Sequence, residues 1–191
     1  MQITDMQEIP AISKDTIALM ERAVLEEQPD LVVYTGDQIK GYGVTYKGKG
    51  EELEREVAQT IGKLLEPVTK RGIPFAVTFG NHDCQVGISN QDQFYHIYKR
   101  LPNCIGEQAE GIDGGGTCAI PIEHPTEAGG MCLNCICLTA ERMPGRAATR
   151  HLIRRSLRGT ASSGKTFGRK TECMCRPSYF NISRCANIMR C

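Results

Sequence analysis

The chain has 191 residues, 40% hydrophobic and 24% charged, a balance that excludes wholesale disorder and fits one globular domain, with or without a tail. No run approaches the roughly 18 apolar residues of a membrane span. Residues 1–5 lack the basic start and apolar run of a secretion signal, so a cytoplasmic protein with no membrane partner is expected. The net charge of +1 hides a split: residues 1–138 hold 11 Lys+Arg against 20 Asp+Glu, and residues 139–191 hold 12 against 2. Cysteine divides the same way, three in residues 1–131 and seven in 132–191.

The first part reads as alternating strands and helices. Gln2-Ile3-Thr4 is a short apolar start that ends at Asp5. Lys14 to Glu27 carries Ile17, Ala18, Met20, Ala23, Val24 and Leu25 as a helical stripe, with Ser13 or Asp15 placed to cap it. Leu31 to Thr35 is a β-branched run, as expected of a strand buried on both faces, and it stops at Gly36-Asp37. Gly50 to Arg71 predicts a long acidic helix with Leu53, Val57, Ile61, Leu64 and Leu65 on one face, closed by Gly72. Pro74 to Phe79 predicts the next buried strand, which stops at Gly80-Asn81-His82-Asp83. Gln91 to Leu101 predicts a third helix, with His96 on one of its faces, and Thr117 to Ile122 a returning strand after a glycine-rich hairpin turn, Gly111 to Gly116. The alternation predicts an α/β fold with a largely parallel sheet.

In open α/β sheets the carboxyl ends of the strands share one rim, where ligands bind. That rim would gather Asp5, Asp37, Asn81, His82 and Asp83. Two carboxylates, an amide oxygen and an imidazole suit hard or borderline divalent cations. Each residue alone also has an ordinary reading: Asp37 as a turn cap, Asn81 as a left-handed turn residue, His82 as a solvated loop histidine. Lys40 to Lys49, with Tyr42, Tyr46 and three lysines, lies beside the rim, either as a contact for an anionic substrate or as a solvated loop.

Thr35-Gly36-Asp37-Gln38 and Gly80-Asn81-His82-Asp83 resemble the second and third motifs of calcineurin-like metallophosphoesterases, in the bacterial branch related to purple-acid-phosphatase-like proteins. Asp5 stands where that family opens with Asp-x-His. The resemblance runs over residues 1 to about 124. It implies a sandwich of β-sheets flanked by helices, and hydrolysis of a small phosphate ester with two divalent metal ions (Mn, Fe, Zn or Mg). It implies that Asp37 bridges the two metals, with Asp5 on the first and Asn81 on the second. Metals so held lower the pKa of water for in-line attack on phosphorus and screen phosphate charge. His82 would face the leaving oxygen as general acid or charge stabiliser, and Asp83 would orient the His82 ring and keep it protonated. Gln7 stands where the family has histidine, so the first metal would take a Gln oxygen or be held more weakly. Strand one is very short, and an upstream piece is expected to be missing. The family's later histidine and its Gly-His-x-His segment have no counterpart in His96, His124 or His151. The domain is therefore expected to be incomplete and weakly active or inactive.

Residues 139–191 lack periodicity of either kind. Three explanations compete with a disordered basic tail. Cys132-x-x-Cys135-x-Cys137 with Cys173-x-Cys175 would make a non-catalytic zinc-binding protein, at spacings that match no common knuckle. The basic run from Arg146 to Lys170 would bind nucleic acid, against which its scarcity of aromatics argues. The third is a reading in the wrong frame, and it is the one preferred. Residues 1–130 are then the front of a metallophosphoesterase domain, and 131–191 a shifted reading. Joining the third base of each codon to the next two forces Val at Met131-Cys132, Leu at Asn134-Cys135, Ala at Met143-Pro144 and Val at Met174-Cys175. Phe180-Asn181 allows only Gln or stop. All are compatible with the family pattern, which would place its last histidines beyond Cys191.

Overall fold

A computed structural model describes residues 1–112, 114–123 and 131–139. Strands β1 (Gln2–Ile3), β2 (Val32–Thr35) and β3 (Phe75–Thr78) form a parallel sheet in that order. Helix α1 (Lys14–Glu27) crosses from β1 to β2, and α2 (Glu51–Thr69) from β2 to β3. Helix α3 (Asn90–His96) follows β3, and an antiparallel pair, β4 (Cys118–Glu123) and β5 (Met131–Cys137), closes the described part.

The sheet is covered on both faces, which is why its strands read as unbroken apolar runs. One face carries Val32, Tyr34, Phe75 and Val77 into the main core with Met20 and Val24 of α1 and Val57, Ile61, Leu64 and Leu65 of α2. Each of these α2 side chains is fully buried, contributing on the order of 1.5–3 kcal/mol. The other face carries Val33 and Ala76 against Cys118, Ile120, Cys135 and Cys137 of the β4–β5 pair. Helices thus lie over one face and a second sheet over the other, as the resemblance implied.

Ser13 caps α1 as predicted, its hydroxyl accepting the Asp15 N–H at 3.2 Å. Leu25, placed in the α1 stripe, is exposed, because Met20 and Val24 already fill the contact with the core. The predicted helix 91–101 is shorter. It ends at His96, and Tyr98–Arg100 forms a separate 3-10 turn that buries Tyr98. The glycine-rich segment is not a plain hairpin turn. Gly116 presses so closely on the Val77 carbonyl, and Gly115 on Asn90, that neither position has room for a Cβ. Strand β5 lies in a stretch to which no pattern was assigned, and Thr139 anchors it by accepting the Phe79 N–H at 3.2 Å.

Among the described residues no helix is long and apolar enough to cross a membrane. His124, His151, the 146–170 basic run, Cys173, Cys175 and most of the 131–191 segment lie outside the described residues, as does the side chain of Cys132.

Candidate functional site

The parallel pairing continues past the strand ends. Beyond β1 and β2, Asp5 N–H donates to Gly36 O (3.1 Å), Gln7 N–H to Asp37 O (2.9 Å) and Glu8 N–H to Gln38 O (3.1 Å). The two loops therefore leave the sheet side by side, which brings Asp5 and Gln7 next to Gly36-Asp37. Five non-glycine residues have positive φ among the described residues, and three of them are Asp5 (55°), Gln7 (46°) and Asp37 (53°). Such conformations cost of order 1 kcal/mol or more each and persist where surrounding bonds hold them, commonly at functional sites.

The third loop joins through hydrogen bonds and close packing. Gly36, at φ 97°, lies against Gly80, where a Cβ on Gly36 would stand 2.6 Å from the Gly80 nitrogen. His82 N–H donates to Asp37 Oδ1 at 2.8 Å. The Asp37 side chain is buried, while Asp5 and Asn81 are exposed and His82 is partly exposed. Four of the five predicted residues thus stand at one rim: Asp5, Asp37, Asn81 and His82.

Asp83 is placed differently from expectation. It is fully buried and does not orient the His82 ring. Its Oδ2 accepts the N–H groups of Asp37 (2.7 Å) and Gly80 (2.8 Å), and its Oδ1 those of Gln38 (2.9 Å) and Ile39 (3.3 Å). Burial pushes its carboxyl above the usual range, and the backbone donors pull it partly back. The ring is oriented by Gln85 instead, whose Oε1 lies 2.9 Å from His82 Nδ1. The reason is geometric. Asp83 opens a 3-10 turn, Asp83–Val86, that carries its side chain inward and returns Gln85 to the histidine.

Sequence reading also missed Glu8 and Gln38, and left Tyr42 undecided. Buried Glu8 accepts the Ser13 N–H at 3.1 Å and the Thr16 hydroxyl, tying the β1 loop to the start of α1. Buried Gln38, with its amide oriented to satisfy both ends, accepts the Gly36 N–H at 2.8 Å and donates to the Asp83 carboxylate at 3.3 Å. Tyr42 donates to Gln7 Oε1 at 3.0 Å. Tyr46, on the same segment, turns inward, and burial pushes its phenol up to about 12. No periodicity marks loop residues of this kind.

Among the described residues no three His, Cys, Asp or Glu side chains gather around one metal position. The rim's donors are the carboxylates of Asp5 and Asp37 and the amides of Gln7 and Asn81. Oxygen donors of this kind fit hard divalent cations, and they fit zinc less well than histidine or thiolate would.

Comparison with known proteins agrees with the α/β fold. A family model described as calcineurin-like phosphoesterase matches residues 1–138. The chain is 32% identical over 119 residues to a protein of Arabidopsis thaliana named probable inactive purple acid phosphatase 29, covering 60% of this chain and 28% of that protein. It is 28% identical over 117 residues to probable inactive purple acid phosphatase 14 of the same plant, 58% of this chain and 27% of that one. An uncharacterized protein of Schizosaccharomyces pombe is 30% identical over 91 residues, 48% of this chain and 16% of its own length. The chain thus spans less than a third of the length of these relatives. No solved structure matches.

Proposed function

The chain belongs to the calcineurin-like phosphoesterase family, and we propose that the rim of Asp5, Gln7, Asp37, Asn81 and His82 is its site for hydrolysing phosphate esters. Members of this family hydrolyse phosphoesters and generally use divalent metals. The observation that carries the reading is the concentration of left-handed backbone at Asp5, Gln7 and Asp37, with His82 bonded to Asp37. A fold held in costly conformations at three neighbouring polar residues is organised for a ligand rather than for stability.

Asp37 would bridge two divalent ions, with Asp5 and Gln7 on one and Asn81 on the other. When bound, such ions supply an activated water and charge screening for the phosphoryl group. The chain's own residues do the rest. Asp37 spends Oδ1 on the His82 N–H, which locks the histidine beside it. With Gln85 Oε1 accepting from Nδ1–H, Nε2 is the nitrogen left for the leaving oxygen, and delivery of a proton from it requires the imidazolium form, which carries N–H on both ring nitrogens. Asp83 fixes the Asp37 and Gly80 backbones, so both loops hold their register while substrate binds.

Three curated relatives carry the word inactive in their names, and this chain replaces the family's first-motif histidine with Gln7. A low turnover that needs high metal concentration follows from oxygen-only ligation, because such ligands exchange readily. The test is hydrolysis of p-nitrophenyl phosphate and bis-p-nitrophenyl phosphate with Mn²⁺, Mg²⁺, Zn²⁺ or Fe²⁺, in the 191-residue chain and in a frame-restored form. Metal-dependent turnover lost in Asp37→Asn supports the reading. Turnover that Asp37→Asn leaves intact overturns it.

A further inference from the structure

We propose that Tyr42 is a positioning residue for His82, bracing the imidazole with its ring while its hydroxyl holds the opposite side of the rim. The proposal rests on the assignment of His82 to the phosphoester site. The Tyr42 and His82 ring centroids are 4.6 Å apart, with planes tilted by 51°. The Tyr42 hydroxyl donates to Gln7 Oε1 at 3.0 Å. One side chain thus touches residues of the first and third loops, and it comes from the segment following the second. The Lys40 ammonium lies over the same ring, 5.0 Å from its centroid, a cation–π geometry that steadies the ring and sets a positive charge beside the rim.

The backbone explains why the tyrosine arrives there. Gly41 packs flush against the His82 carbonyl, and a Cβ at that position would also stand 2.7 Å from the Val86 nitrogen. Only glycine lets the Lys40–Gly41–Tyr42 segment lie on the 81–86 loop closely enough for ring contact. His82 is then held from two directions, at Nδ1 by Gln85 and at the ring by Tyr42. An imidazole fixed at a nitrogen and a face can turn little, which is what in-line proton delivery to a leaving oxygen requires. Tyr42 remains well exposed, as expected of a residue at the mouth of a site and not of one placed for core packing.

The test pairs spectroscopy with kinetics. In the wild-type chain labelled at histidine, of which there are four, the His82 ring protons are assigned through His82→Gln. They should show nuclear Overhauser contacts to the Tyr42 ring and a ring-current shift. Tyr42→Phe keeps the ring and should keep both signatures; it loses the hydroxyl's bond to Gln7, and its fall in kcat should be smaller than that of Tyr42→Leu. Tyr42→Leu should move the His82 resonances toward those of an exposed histidine and lower kcat about tenfold, with KM changed by less than about twofold. Absence of the Overhauser contact in the wild type overturns the proposal even if Tyr42→Leu fails to fold. So does a Tyr42→Leu spectrum with unmoved His82 signals, or a loss confined to KM. If no form turns over any phosphate ester, the hydrolase reading fails while the spectra still decide the bracing.

Discussion

Asp83 Oδ2 accepts the backbone N–H of Asp37 at 2.7 Å, across 46 positions of sequence. A motif residue expected to serve its histidine neighbour instead joins two loops, and His82 returns the tie by donating to Asp37 Oδ1. Asp37 is therefore gripped at its nitrogen and at one carboxylate oxygen, which explains how its left-handed backbone is sustained.

The grip makes Asp83→Ala costly. Removal leaves the buried N–H groups of Asp37, Gln38 and Ile39, and the half-buried one of Gly80, short of an acceptor. The expected loss is about 3 kcal/mol or more, from roughly 1–3 kcal/mol for each stranded buried donor. Urea unfolding checks it, and a midpoint within error of wild type would show that the carboxylate is dispensable.

Asp37→Asn keeps the shape and an acceptor for His82 but removes the charge. Hydrolysis should fall by at least about 100-fold, beyond the range for loss of a supporting partner, and Mn²⁺ binding by calorimetry should weaken in parallel. His82→Ala should lower turnover while leaving metal affinity within about threefold, because the side chain is assigned to the leaving group.

Gly80→Ala tests the close approach of the loops. Its Cβ would collide with the Asp37 side chain and stand 2.8 Å from the Asp37 nitrogen. The variant should lose activity as Asp37→Asn does and also lose about 1–3 kcal/mol of stability, the usual cost of overpacking. Wild-type activity in Gly80→Ala would mean that the Asp37 position is not critical.

Alkali should unfold the protein early. Burial raises the phenols of Tyr34 and Tyr98 above their ordinary range and that of Tyr46 to about 12. The folded chain then holds these protons while the unfolded chain releases them near pH 10. Stability is full below pH 10 and falls as pH rises toward 12, by up to about 1.4 kcal/mol per unit for each tyrosine. Urea midpoints at pH 8, 10 and 11 check the slope. Among the described residues the buried Tyr98 hydroxyl has no hydrogen-bond partner, so Tyr98→Phe should flatten that slope and leave stability at pH 8 equal or about 1 kcal/mol higher.

The change of frame proposed near residue 131 predicts a gene whose shifted frame stays open past that codon and encodes the family's later histidines. Resequencing with peptide mass spectrometry decides it. Peptides from the printed 140–191 segment, together with stops in the shifted frame, would end the idea.

Local chemistry made much of this molecule legible from residue order alone. The apolar runs 31–35 and 74–79, the α2 stripe, the Ser13 cap and the two glycine-led polar motifs each depend on neighbours within a few positions, where periodicity and capping operate. They sufficed to place Asp5, Asp37, Asn81 and His82 at one rim, because parallel strands must end on the same side. Whereas the hold of Gln85 on His82, three positions away, follows from the local 3-10 turn, the inward turn of Asp83 and the reach of Tyr42 to both Gln7 and His82 were decided only by the tertiary structure. Those contacts depend on which buried N–H groups lack an acceptor and on how close two glycines let the loops approach. Both are settled between segments about 45 residues apart, at separations where no periodic signal survives.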